Sequence, residues 1–295
     1  MNCDLAVLGF TYYPLLSFPR IGLPKELQLS DLIIKPNPAQ TGLTRAVTGI
    51  DHTGAVFDLN VVEERPLTIW LNSQEIVTAM TIGDYPEFLA LGFLANQGML
   101  STYETVIGVD YDEELETVVV RTDSQTTYED KLEKKTRTSG CAVGTVFGDI
   151  MEGIADVTLP DATVRASWLY ALANQINQMP SLYLDAGAIH GTVLCQQDQP
   201  LVYMEDVGRH NAVDKIAGWM RSTGTRAADK ILYTTGRLTS EMVIKCAIMG
   251  ISIFGLPIWF YRLGGGTGEP GWPDPDRAYA WAEVPMRVGF GSTDP

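Results

Sequence analysis

One cysteine, Cys141, stands in the stretch "TRTSGCAVG", with Lys131, Lys134, Lys135 and Arg137 shortly before it and Gly140 and Gly144 close on either side. Neighbouring positive charge stabilises a thiolate, the nucleophilic form of a thiol, and glycines let a loop bend so that sulfur can be presented to another molecule. The same residues also fit a small apolar side chain in a loop beside a solvated charge run, and composition alone leaves both readings open. A second stretch, "EDVGRHNAVDK" from Glu205 to Lys215, falls where a strand gives way to a helix. Asn211 suits a helix cap, and the free amides of the first turn, with Arg209 and His210, suit an anion. Asp206, Arg209 and Asp214 could equally pair among themselves. A third stretch, "TTGRLTSEMVIK", repeats the strand, glycine turn and helix. Thr239 or Ser240 can cap there, Glu241 suits the first turn, and Arg237 projects from the loop at the carboxyl end of its strand, where ligands of open α/β sheets bind. Two arginines from two such loops can clamp phosphate oxygens, which match the guanidinium fork.

No metal site is expected. Cys3, Cys141, Cys195 and Cys246 have no paired spacing, which argues against a thiolate zinc cluster and against a disulfide framework. His190 and Cys195 are five residues apart in a strand and face opposite sides, so His190 is assigned as a hydrogen-bonded histidine of the core or a pocket, with a ligand contact as the lesser alternative. Cys195 and Cys246 read as packing residues, and His52 and Cys3 are assigned nothing.

The elements that must hold these residues divide the chain of 295 residues into four parts. Residues 1–45 read as an extended arm. Residues 46–130 read as a small α+β domain: short strands, a turn at Asn72-Ser73, one helix over "DYPEFLALGFLANQGML" with Asp84 as its cap and Pro86 in its first turn, then two more strands. Residues 131–254 alternate strands and helices, after a hairpin joined through "QDQ", and predict parallel crossover units in a three-layer α/β/α sandwich. In its second helix Ala212, Val213, Ile216 and Met220 form the buried stripe. Residues 255–295 are rich in Gly, Pro and Trp and show no convincing element.

Hydrophobic residues at 45% and charged residues at 19% are ordinary globular values, and the formal charge of -15 repels nucleic acid and anionic membranes. The longest apolar runs are too short to span a bilayer, and the amino terminus lacks the basic and apolar order of a signal peptide, so a cytoplasmic location is expected.

Four motifs in order, "EERPLTIWLN", "LALGFLANQG", "RTSGC" and "EDVGRHNAVDK" followed by "GRLTSEMVIKCAIMGI", resemble the FdhD/NarQ family of formate dehydrogenase accessory sulfurtransferases, from about Asp51 to about Phe254. The resemblance implies a homodimer that receives persulfide sulfur from a cysteine desulfurase. It implies delivery of that sulfur to the molybdenum cofactor, bis-molybdopterin guanine dinucleotide, before insertion into formate dehydrogenase. It implies a small α+β domain followed by a cytidine-deaminase-like domain, with Cys141 as the catalytic persulfide carrier. Arg137, Arg209, His210, Asn211, Arg237 and Glu241 are then expected to bind the cofactor, which is a bound substrate; no metal is held by the protein itself. A noncatalytic cofactor-binding chaperone for the same dehydrogenase is the alternative. Gly144 replaces the second cysteine that many relatives carry, and the helix and strand expected after the "GISIF" segment are not legible.

Overall fold

The computed structural model describes residues 32–100, 105–123, 135–137, 145–147, 157–256, 259–263 and 280–284. A hairpin of β1 (Thr44–Ile50) and β2 (Val56–Val62) comes first. β3 (Arg65–Leu71), β4 (Gln74–Thr81), β5 (Val106–Asp112) and β6 (Thr117–Thr122) form a sheet in the order β4-β3-β6-β5, crossed by α1 (Pro86–Asn96). Helix α1 is buried at nearly every position, as expected of a helix apolar all round. One side lies on the sheet through Leu67, Ile69, Leu71, Val118 and Val120. Its other side meets α4 (Arg209–Thr223).

Asp84 does not cap α1. Tyr85 takes that position in the left-handed region, φ 48° and ψ 49°, without a side-chain cap, because the Asp84 carboxylate is engaged by Lys215 of α4. A buried ammonium outcompetes a local amide.

The second sheet has the order β10-β9-β11-β12-β13-β14. Its strands are β9 (His190–Gln196), β10 (Gln199–Asp206), β11 (Lys230–Thr234), β12 (Ile253–Leu256), β13 (Trp259–Leu263) and β14 (Ala280–Val284). Side chains alternate across it. Leu194, Val202, Met204, Leu232 and Phe254 meet α4 and α5 (Ser240–Ile248) on one face. Val193, Cys195, Tyr203, Ile231, Tyr233 and Ile253 meet α2 (Ala166–Gln178) on the other. A short helix, α3 (Leu182–Asp185), precedes β9. The three layers match the expected mixed α/β class, and Ala212, Val213, Ile216 and Met220 are buried as expected.

Two expectations change. The sheet is mixed: β9 runs antiparallel to both β10 and β11, and β11–α5–β12 makes a parallel crossover. The Gly, Pro and Trp rich end does contain structure, because β13 pairs antiparallel with β12 and β14 pairs parallel with β13. At the front of the chain, Ile33 N donates to Leu201 O and Tyr203 N to Ile34 O, so the end of the arm lies along the β10 edge. Among the described residues no helix is long and apolar enough to cross a membrane.

Candidate functional site

The mixed topology gathers the site. Because β9 is antiparallel to its neighbours, its first residue sits beside their last: His190 pairs with Asp206, and Thr192 with Thr234. Short turns lead from Asp206 into α4 and from Thr234 into α5, so two helix N-termini and the His190 end of β9 share one edge. Such termini present free N–H groups and partial positive charge.

Arg209 opens α4 and forms the floor, only 4% exposed. Among the described residues its Nε and Nη2 have no hydrogen-bond partner. Gly236 makes room for it: a Cβ there would come within 2.8 Å of Arg209 Cβ. Nδ1 of His190 and Oγ1 of Thr239, at the N-cap of α5, are likewise buried without partners. A buried polar group gains about 1–3 kcal/mol from a partner, so these atoms favour a ligand rich in hydrogen-bonding oxygens. Arg237 is exposed at the mouth.

His210 Nε2 lies 2.9 Å from Glu241 Oε2. Burial alone would raise the Glu241 carboxyl, but the His210 ring beside it holds it below the usual range. Burial, reinforced by Arg209, Arg237 and His210, pushes the His190 imidazole below its ordinary value. The cluster therefore sets two arginines and two histidines against Asp206 and Glu241, and Asp206 is already engaged elsewhere.

A buried polar layer beneath the site fixes it. Lys215, fully buried, contacts Asp84 and lies 2.7 Å from Asp206 Oδ2, and it donates to Glu205 O at 2.9 Å. Asp206 also accepts from Thr81 Oγ1 at 2.5 Å, Gly208 N at 3.0 Å and Asn211 Nδ2 at 2.9 Å. The two carboxylates hold the Lys215 ammonium above its usual pKa despite its burial. Asp214 accepts from Asn96 Nδ2 at 2.7 Å and from Lys245 Nζ at 2.5 and 2.6 Å, joining α1, α4 and α5.

The structure thus brings Arg209, His210 and Glu241 together with Arg237 at the rim. Asn211 turns away from the site and is not the cap; Gly208 is. The Asn211 amide instead bonds Asp206 and, at 2.7 Å, Met80 O. The alternative, in which Asp206, Arg209 and Asp214 pair among themselves, is not what the described residues adopt: Asp206 takes Lys215 and Asp214 takes Lys245. Arg137 ends β7 (Lys135–Arg137), which pairs antiparallel with β8 (Thr145–Phe147). Cys141, between those strands in sequence, lies outside the described residues, as does Cys3. Cys195 and Cys246 are buried free thiols, and burial pushes both well above the usual thiol range, which suits packing. No cluster of three or more metal-ligating side chains occurs among the described residues. Sequence reasoning placed His190 in the core or a pocket, but it missed the lysine pairs.

The model of the FdhD/NarQ family matches residues 62–255. The chain belongs to this family. It is 31% identical over 197 residues to the sulfur carrier protein FdhD of Bacillus subtilis (strain 168), covering 65% of this chain and 74% of that protein. The namesake from Halalkalibacterium halodurans is 26% identical over 222 residues, covering 74% and 82%. A crystal structure of a formate dehydrogenase accessory protein from Desulfotalea psychrophila superposes with a TM-score of 0.57 at 27% identity, over 72% of this chain and 81% of that one. The family match includes β9, β10, α4, β11 and α5, and so every residue of the cluster.

Proposed function

We propose that this chain is a sulfur carrier in the maturation of formate dehydrogenase. It takes persulfide sulfur from a cysteine desulfurase onto Cys141 and passes it to the bis-guanylated molybdopterin cofactor bound at the Arg209 cluster. A cytoplasmic homodimer belongs to the same reading. The observation that carries it is the buried Arg209 guanidinium, two of whose nitrogens have no partner among the described residues, at the meeting of two helix starts. A diphosphate supplies the acceptors those donors lack, and Arg237 at the rim can close on the same group. The names of the relatives, sulfur carrier protein and formate dehydrogenase accessory protein, support the wider role.

In the loading step the Cys141 thiolate attacks the outer sulfur of the donor persulfide. A new sulfur–sulfur bond forms, the donor's own bond breaks, and the donor cysteine leaves as thiolate. Lys131, Lys134, Lys135 and Arg137 would favour the thiolate and draw in the anionic cofactor.

The test is restoration of formate oxidation in a strain lacking its own accessory factor. The wild-type chain should restore it; Arg209→Ala and Cys141→Ala should each reduce it at least about a hundredfold, the scale of losing a charge-assisted contact or a nucleophile. Activity retained by Cys141→Ala but lost in Arg209→Ala would make the chain a noncatalytic cofactor chaperone. Activity retained by both would overturn the proposal.

A further inference from the structure

His190 belongs to the cluster but has no role in the reading above. Its position follows from topology: first in β9, paired with Asp206, and thus at the edge where α4 and α5 begin. Among the described residues its Nδ1 is buried without a partner, as are Nε and Nη2 of Arg209. A neutral imidazole offers one donor and one acceptor, whereas an imidazolium offers two donors. A neutral ring presents a donor at Nδ1 in only one tautomer and brings no charge, whereas the imidazolium presents donors on both nitrogens and a positive charge that faces the anion.

We propose that His190 is a further binding residue of this site, neutral when the site is empty and protonated when a phosphate-bearing ligand is held, so that ligand and proton bind together. This rests on the reading of the cluster as a site for a diphosphate ligand. The charged and titratable groups that face His190 are Arg209 and His210 from α4, Arg237 from the turn before α5 and Asp206 from β10. Burial, with Arg209, Arg237 and His210 beside it, keeps the imidazole below its ordinary value, and Asp206 only partly offsets them. Asp206 is committed to Lys215, Thr81, Gly208 and Asn211, so it cannot serve as the counter-ion. A bound diphosphate brings negative charge to the unpartnered side and reverses the balance.

The sign follows from linkage. Binding raises the His190 pKa, so the loaded protein binds more protons than the empty one between the two values. Affinity is then greatest at low pH and falls as pH rises, by up to about tenfold per pH unit within that interval. His210 Nε2 lies 2.9 Å from Glu241 Oε2, and the His190→Asn variant distinguishes any contribution of His210 from that of His190.

Guanosine diphosphate mannose is a suitable probe, since its diphosphate is a diester whose charge does not change near neutral pH. Calorimetric titration of the full chain from about pH 6 to about pH 8, in two buffers of different ionisation heat, reads affinity and proton uptake together. The wild type should take up a proton on binding and weaken as pH rises. His190→Asn, with an unchanged melting curve, should bind more weakly at the acid end and show neither effect. Binding that is independent of pH and releases or takes up no proton overturns the inference and leaves the diphosphate reading standing. Proton uptake undiminished in His190→Asn also overturns it. No binding by the wild type at any pH overturns the reading and this inference with it.

Discussion

Alanine at Gly218 leaves little folded protein. The backbones of α1 and α4 cross in contact, and a Cβ at Gly218 would lie 1.9 Å from Phe88 O, while one at Gly92 would lie 1.7 Å from Asp214 O. Neither atom is a flexible side-chain end that could swing aside; both are carbonyl oxygens within regular helices. On an exposed helix the same substitution would stabilise by about 1 kcal/mol. Here the helices must separate, opening Leu89, Leu94 and Val213 to water and pulling Asn96 from Asp214. Overpacking of this kind exceeds the usual range, and each of Gly218→Ala and Gly92→Ala should cost more than about 3 kcal/mol. Urea denaturation followed by circular dichroism checks it. A midpoint within experimental error of the wild type would mean that the helices do not cross this closely.

Lys215→Met carries the second large effect. Lys215 is fully buried between Asp84 and Asp206. Methionine fills much the same volume but leaves two carboxylates facing each other without a cation. Removing one partner of a buried ion network costs about 3–5 kcal/mol. Burial and the Asp206 charge already raise Asp84, and losing the ammonium raises it further. A carboxyl whose folded pKa lies above its unfolded value contributes stability at low pH and loses it as pH rises through the folded value. The variant should therefore be least stable at neutral pH and recover part of the loss on mild acidification. Thermal melts of Lys215→Met at neutral and mildly acid pH read this directly, and Asp84→Asn added to it should restore stability at neutral pH. A variant as stable as the wild type, with the same pH profile, would show that the network contributes nothing to the fold.

These two sites mark where the sequence was legible and where it was not. Local patterns carried well: the stripe Ala212, Val213, Ile216 and Met220, the turn at Asn72, and the hairpin through Gln197 all stand as read, because periodicity and turn chemistry are set by near neighbours. Capping was misread at Asp84 and Asn211 for a common reason. Each looked like a cap beside its own helix, yet each is claimed by a group far away in sequence, Lys215 for Asp84 and Met80 O for Asn211. The antiparallel pairing of β9 with β11 was equally hidden, since strand pairing is non-local, and with it the convergence of His190 with the two helix starts. A short hairpin feeding β11 was the available signal: an antiparallel β9 must return its first residue to the ligand-binding edge. The strands Trp259–Leu263 and Ala280–Val284 are short and set among Gly and Pro. They are specified by pairing with an existing sheet edge and not by any pattern of their own.

The claim that Cys141 carries sulfur is tested most directly by mass. After incubation with a cysteine desulfurase and cysteine, the wild-type peptide containing Cys141 should gain one sulfur atom, lost on treatment with a thiol reductant and absent from Cys141→Ala. A peptide of unchanged mass under conditions where the desulfurase turns over would contradict it.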